Sequence, residues 1–401
     1  MSVRVTQSLN QTQFLSALAT LASNLSQTQN QISSNKSFTT AAQNPTAAGA
    51  VNNYNQALAQ SQQYDTNANS AQTRLSIEDS TLSQVQTQLQ SLRDLALQAN
   101  NSTLSSQDKT AIAAQATQIQ NSLLALANTQ DGNGEYLFGG FSTQTQPFTL
   151  SATGATYNGD QGQRQVQIAA GQTIAAGDSG NTVFGQIKTG NGTFAATAAT
   201  TNTGTGILGA STVSNPALYQ AGNGQYSINF TAPGTYQVRD SANALVSTGS
   251  YTNGGTISFA GIQVTLSGQP AANDSFAVAP STNQSVFTTV QNLVNSLQPG
   301  ANTSVATAQL NNSLGSAINN IDQALSQTSN VRASVGARLN SITTQQSVSG
   351  SQQVQLQTTI SSLQSLDYAS ALTTLTQQNT TLSAALQAYT LTQGLTLFKY
   401  I

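Results

Sequence analysis

Chemistry at neutral pH needs a base, and this 401-residue chain contains neither histidine nor cysteine. That removes the commonest general base and metal ligand, along with thiolate nucleophiles, thiolate zinc sites and disulfides. Thirteen carboxylates remain. Glu78-Asp79 is their only adjacent pair, and neighbours in a helix point to different faces, so it reads as solvated helix surface. Asp131-Gly-Asn-Gly-Glu135 resembles the opening of a calcium loop but lacks the later ligands and the closing Glu, which makes it a helix-terminating turn. Tyr157-Asn-Gly-Asp160 sets a carboxylate at a turn, and a structural role is expected for it. Neither a dinucleotide-binding fingerprint nor a Walker loop is read in the chain. The reading is not an enzyme, with no catalytic, cofactor-binding or metal residues and no cofactor.

Charge is scarce everywhere. Asp, Glu, Lys and Arg make up 6% of the chain, where about 25% is usual. The net charge is −2 and the cations are scattered, so no basic patch is available to neutralise phosphates and nucleic acid is excluded as a partner. Weak repulsion between copies permits self-association; a secreted protein of unusual composition is the competing explanation. No run approaches 18 consecutive apolar residues, so no membrane insertion is expected. The start lacks the 7–15-residue apolar run of a secretory signal, so export would proceed without a cleaved signal peptide.

The elements that must position these residues follow from proline and glycine. No proline lies between Pro45 and Pro147 or after Pro299, no glycine lies between Gly49 and Gly132, and residues 132–300 hold 25 of the 30 glycines. Both residues interrupt helices. The chain therefore reads as long helix, then β-rich insert, then long helix: a multidomain α+β protein whose terminal helices pack into a coiled-coil-like rod bearing an inserted antiparallel β-rich outer domain.

Apolar spacing fills in that outline. Phe14, Leu18, Leu21, Leu25 and Ile32 alternate steps of four and three, with Thr28 in the gap, at coiled-coil period. Leu75, Leu82, Leu89 and Ala96 form one row seven apart, with Val85, Leu92 and Ala99 beside it. Ser105 or Ser106 caps a third helix carrying Ile112, Ala116, Ile119, Leu123 and Leu126. Phe287, Val290, Val294 and Leu297 mark a short helix. Leu314, Ile318, Ile321, Leu325, Thr328, Arg332, Val335, Leu339 and Ile342 keep the four-three rhythm. Leu372, Asn379 and Leu386 form one row of the last helix, and Leu375, Leu382 and Tyr389 the other. Arg332 and Asn379 either fix register or reach to the surface. In the insert, Tyr226–Phe230, Thr235–Val238, Thr256–Phe259 and Ile262–Leu266 alternate as strands. Asn253-Gly254 signals a hairpin, and residues 185–215, poor in apolar side chains, read as a loop.

Four stretches together resemble the flagellin superfamily, and within it the hook–filament junction branch. Ile32-Ser-Ser-Asn-Lys36, leading to Asn44-Pro-Thr-Ala-Ala48, is similar to the turn between the first two helices. Leu126-Ala-Asn-Thr-Gln-Asp-Gly-Asn-Gly-Glu-Tyr-Leu-Phe-Gly-Gly140, with Pro147-Phe148, is similar to the family's junction between core and outer domain. Val335-Gly-Ala-Arg-Leu-Asn340 resembles its C-terminal helix motif, and Leu366-Asp-Tyr-Ala369 with Leu395–Ile401 its last helix. The stretch Gly254–Val264, with Asn273-Asp-Ser-Phe276, looks like a module of hook-associated proteins. A Ser-Val-Leu-Ala-Gln-Ala run typical of filament subunits is absent. Two departures stand out: Gln43-Asn44 replace acidic residues before Pro45, and Lys399 sits where an acidic or polar residue is common.

The resemblance implies an extracellular structural protein of the bacterial flagellum at the hook–filament junction. Its implied partners are hook-associated protein 1, flagellin, copies of itself in a ring or short helical zone, and a flagellar export chaperone. A filament-forming flagellin and a secreted coiled-coil adhesin are the alternatives. The expected organisation is 1–45 an N-terminal assembly helix, disordered in the monomer; 46–145 and 281–364 the two halves of the rod; 146–280 the outer domain; and 365–401 a C-terminal assembly helix. Inter-subunit burial is expected for Phe14, Leu18, Leu21, Leu25, Ile32, Leu372, Leu375, Leu382, Leu386 and Tyr389. The rod core is expected at Leu75, Leu82, Leu89, Ile119, Leu123, Ile318, Ile321, Leu325, Leu339 and Ile342.

Overall fold

The computed structural model describes residues 2–101, 104–221, 223–298, 300–301 and 303–397, with side chains at the two ends described from residue 8 and up to residue 391. Lys399 and most of the closing motif lie outside the described residues. Two compact units result, one of residues 1–66 and 345–401, the other of residues 67–344. Among the described residues seven α-helices form: α1 (Ser2–Ser34), α2 (Pro45–Ala99), α3 (Ser106–Ala127), α4 (Pro216–Ala221), α5 (Val286–Ser296), α6 (Ser304–Gln364) and α7 (Tyr368–Leu397). Their starts have local causes. The Asn44 side-chain oxygen accepts from the Ala47 N–H at 3.0 Å, Ser105 and Asp108 form a reciprocal capping box, and Ser285 accepts from the Phe287 N–H. Each satisfies donors that the first helical turn leaves free.

In the unit of residues 67–344, α2 and α6 run antiparallel, as Arg332–Asp79 at 3.0 Å and Arg93–Asp322 at 2.6 Å require. The buried α2 rows are Ala68, Leu75, Leu82, Leu89 and Ala96, flanked by Ala71, Val85, Leu92 and Ala99. On α6 one row is Leu314, Ile321, Thr328, Val335 and Ile342. The second row differs from expectation. Ala317, Ala324 and Val331 are buried, whereas Ile318, Leu325 and Leu339 are only half-buried on the flank. Small side chains take the deeper positions, and the larger ones pack against the core from its flank. Leu123 of α3 is buried and Ile119 half-buried against the same core. Arg332 does more than reach to the surface, since it also donates to Gln86 at 2.8 Å.

The insert contributes to two cores. Strands β1 (Phe148–Ser151), β2 (Gly154–Tyr157), β3 (Gln165–Ala169) and β4 (Gln172–Ala175) form two hairpins. Their Phe148, Ile168 and Ile174, with Phe184 from a π-helical turn at Asn181–Gly185, join the helical core. A separate core runs from Phe194 to Val278. It lies within a five-stranded antiparallel sheet, ordered β10 (Leu245–Ser250), β9 (Thr235–Asp240), β8 (Tyr226–Ala232), β13 (Ser275–Pro280) and β6 (Phe194–Ala198). A three-stranded sheet, β11 (Thr256–Phe259), β12 (Ile262–Ser267) and β7 (Ile207–Val213), completes it. The short β5 (Ile187–Lys188) pairs with β14 (Asn283–Gln284).

Two local expectations are corrected here. Residues 185–215 are not a loop: β5, β6 and β7 all fall within them, each paired to a strand distant in sequence. Partners more than 50 residues away supply the pairing that local composition hides. Asn253-Gly254 turns the chain between sheets instead of closing a hairpin, because β10 and β11 are not paired. The two-residue loop joining β11 to β12 is Ala260-Gly261, both at positive φ (43° and 77°), which is the type I′ arrangement.

Three α6 amides hold residues 190–208 of the insert, and a fourth, Gln327, donates to the Thr182 carbonyl at 2.9 Å. Asn312 accepts from the Leu208 N–H at 2.7 Å and donates to the Gly206 carbonyl at 2.9 Å, covering the edge of β7. Asn320 accepts from Gly190, and Gln309 donates to Thr200. Buried Asp274 organises the facing loops by accepting from the N–H groups of Thr203, Gly204 and Ala271 at 2.8–3.0 Å. Asp274→Ala should orphan all three donors and cost the outer core about 3 kcal/mol or more. Tyr219, Tyr226, Tyr236 and Tyr251 all lie in that core, so thermal unfolding followed by tyrosine fluorescence reads the loss directly.

Candidate assembly site

In the unit of residues 1–66 and 345–401, α1 and α7 pair antiparallel. Phe14 stacks on Tyr389 with ring centroids 5.3 Å apart and planes within 12°. At the far end Lys36 bridges Ser365, and the Ser37 N–H donates to Gln364 at 2.7 Å. Phe14, Leu18, Leu21, Leu25 and Ile32 are half-buried on this seam, as are Leu375, Leu382 and Tyr389 opposite them. Leu372 and Leu386 are not: they remain 46% and 48% exposed, with Asn379 between them also exposed. The two α7 rows thus separate. One covers α1 of the same chain, and the other, with Tyr368 above it, faces outward. Leu9, Leu15, Val348 and Val354 are likewise exposed in this unit.

The seam is imperfect. The side-chain oxygen of Gln378 is buried among these residues without a hydrogen-bond partner, a loss of about 1–3 kcal/mol for a polar atom so placed. Elsewhere in the unit, Ser61 and Ser349 hydroxyls meet at 2.8 Å and Gln353 reaches Asp65 at 2.6 Å. The turn before α2 shows what Gln43 and Asn44 do in place of carboxylates. Gln43 accepts from the Thr39 N–H at 2.6 Å and Asn44 caps α2. Amide oxygens take the same donors without charge.

The acidic candidates converge in the other unit. Glu78 is not solvated surface: it is 1% exposed, because it continues the α2 row of Val85, Leu92 and Ala99 seven residues back. Asp79 faces Arg332 as above. The Asp178 N–H donates to Glu78 at 3.2 Å, and Arg338, from the Val335–Asn340 motif, is paired with the Asp178 carboxylate. Arg338 also donates to the Ala175 carbonyl at 3.2 Å. One turn before Glu78, Arg74 pairs with Asp131 at 2.7 Å and Glu135 at 3.5 Å and donates to the carbonyls of Tyr136 and Leu137. Asp131 meanwhile accepts from the N–H groups of Asn133 and Glu135, closing its own turn. Asp160 accepts from Phe141, Gly162 and Ser142, bonds that hold its carboxyl below the ordinary carboxylate range. Both loops are structural clamps.

The spacing Gly204-Thr-Gly206-Ile-Leu-Gly209 does match a dinucleotide fingerprint, which the sequence reading passed over. It enters β7 instead of opening a helix, and the N–H of its first glycine, Gly204, already donates to Asp274. A carboxylate already fills the place a phosphate would need. Among the described residues no group of three metal-ligating side chains occurs, and no helix is long and apolar enough to cross a membrane.

Comparison with known proteins agrees with this geometry. Residues 5–143 match the bacterial flagellin N-terminal helical region, residues 318–400 the bacterial flagellin C-terminal helical region, and residues 197–280 the D2-like domain of flagellar hook-associated protein 1. The Xanthomonas campestris FlgL crystal structure is 40% identical, with TM-score 0.72, over 77% of this chain and 99% of that one. The flagellar junction protein FlgL from Legionella pneumophila is 33% identical, with TM-score 0.67, over 72% and 98%. Flagellar hook-associated protein 3 of Salmonella typhimurium is 36% identical over 157 residues, 39% of this chain, and that match spans about half of the relative's length (49%). A helical frame closed by both flagellin regions around a β insert defines a member of the flagellin superfamily. Within it, the chain belongs to the FlgL family, the flagellar hook-associated proteins 3.

Burial, and next the neighbouring Asp178, push the Glu78 carboxyl up to about 8 from 4.5. Folded chains then bind the extra proton between those values, so the stability it contributes is full below pH 4.5 and lost as pH rises through 8. Glu78→Gln, which cannot ionise, should remove that slope. Melting curves of native and variant proteins should diverge from pH 5 to 8, by on the order of 4 kcal/mol in unfolding free energy. Parallel curves would mean that Glu78 is ionised in place.

Proposed function

We propose that this chain forms the junction between hook-associated protein 1 and the flagellin filament by folding and polymerising its terminal helices together. The observation that carries the reading is the likeness to FlgL across nearly the whole of that chain. The flagellin regions at both ends and the D2-like match at residues 197–280 support neighbours built from the same modules, flagellin on one side and hook-associated protein 1 on the other. Residence outside the cell, export without signal cleavage, an escorting chaperone and self-association in a ring or short helical zone belong to the same proposal. So do the divisions at 45, 145, 280 and 364 and a structural role in place of catalysis.

The mechanism rests on the two rows of α7. Covering its own α1 uses Leu375, Leu382 and Tyr389, and leaves Leu372 and Leu386 for a neighbouring subunit. Full burial of one such leucine contributes about 1.5–3 kcal/mol, and in the isolated chain that contribution is absent. Marginal terminal helices therefore gain order as subunits add. Since flagellin is the nearest alternative, immunogold labelling with antibodies to residues 150–280 discriminates. A single labelled zone at the hook–filament boundary is expected, and label along the whole filament would make the chain a filament subunit.

Leu372→Asp and Leu386→Asp test the surface itself. Each should leave monomer stability within about 0.5 kcal/mol yet abolish incorporation and motility when it replaces the native chain. Leu375→Asp should instead open the α1–α7 seam in the monomer. Normal motility of the Leu372 and Leu386 variants would remove the outward row from the assembly.

A further inference from the structure

We propose that Glu78, Asp178 and Arg338 form a proton-controlled latch that holds the β3–β4 hairpin against α2 and α6. The three side chains come from α2, from the segment following β4, and from α6. Arg338 is the clamp: it pairs with the Asp178 carboxylate and donates to Ala175, the last residue of β4. Asp178 is held further by Gln163, whose amide donates to its other oxygen at 2.9 Å. Glu78 accepts the Asp178 backbone N–H. The cluster is closed to water, with Glu78 buried and the Asp178 and Arg338 side chains 11% and 12% exposed.

The Glu78 carboxyl thus lies within electrostatic reach of a guanidinium already paired with Asp178. While Glu78 keeps its proton, Arg338 serves Asp178 and Ala175 alone, and the charges balance. When the Glu78 proton passes to solvent, a second carboxylate appears beside Asp178 in a dry site and competes for Arg338. The other nearby cation is committed elsewhere. Arg74, four residues back on α2, has both terminal nitrogens engaged by Asp131, Glu135 and the carbonyls of Tyr136 and Leu137. What then keeps the hairpin in place is the burial of Ile168 and Ile174 and the bond from Asn67 to the Gln167 carbonyl at 3.0 Å. The latch loosens as pH rises, while the separate β core from Phe194 to Val278 contains no part of it.

Hydrogen exchange of the full chain, corrected for intrinsic rates and followed by mass spectrometry from pH 5.5 to 9, tests this. Opening of residues 163–180 should increase several-fold per pH unit and level above pH 8, while residues 226–238 stay flat. Glu78→Gln should abolish the rise. Asp178→Asn gives a second reading if that variant folds poorly, because it hands Arg338 to Glu78 and should flatten the profile too. A flat native profile, or variants that retain the native slope, would overturn the latch.

Discussion

The apolar seam between α2 and α6 is the constraint on which the unit of residues 67–344 depends. A chain with 6% charged residues cannot hold two long helices by ion pairs, and exposed pairs contribute little in any case. Register comes instead from alternating large and small side chains, Leu75, Leu82 and Leu89 on one helix and Ala317, Ala324 and Val331 on the other. The few charges are spent at joints. Every ion pair among the described residues lies in this unit, and each links elements distant in sequence.

Most of this frame was legible because its signals are local and periodic. The absence of proline and glycine marked the helices, and Ser105 or Ser106 marked the start of the third. What sequence alone misplaced were properties of partners. The choice between Ala317 and Ile318 as the deeper position depends on which face α2 presents, and hydrophobicity favours the wrong one. β6 and β7 find their pairing in β13 and β12, far along the chain. Asn253-Gly254 has hairpin chemistry, but the strand after it pairs forward with β12.

Glu78 is the most instructive miss. Adjacency to Asp79 suggested a solvated pair, a local reading. Extending the row of Val85, Leu92 and Ala99 by one heptad places position 78 inside the seam, and Arg338 lies one heptad beyond Val331 on the facing helix. Periodicity therefore placed both residues at the seam, where each bonds Asp178, while residue type argued against it. The motif Val335–Asn340 was read only through its resemblance, and the contacts of Arg338 give it a packing cause.

The terminal helix pair obeys a different economy. Its seam is half-buried, one of its polar atoms lacks a partner, and its second α7 row is left open. Such a pair is poorly made as a finished interior and well suited to completion by another surface. The neutral turn before α2 fits this, because Gln43 and Asn44 accept backbone donors as carboxylates would, yet bring no repulsion when identical copies approach. With hydrogen bonds retained and charge removed, what this unit leaves open is apolar, the exposed Tyr368, Leu372 and Leu386 along α7. The one carboxyl that burial pushes far up, Glu78, belongs to the other unit, where it accepts the Asp178 N–H.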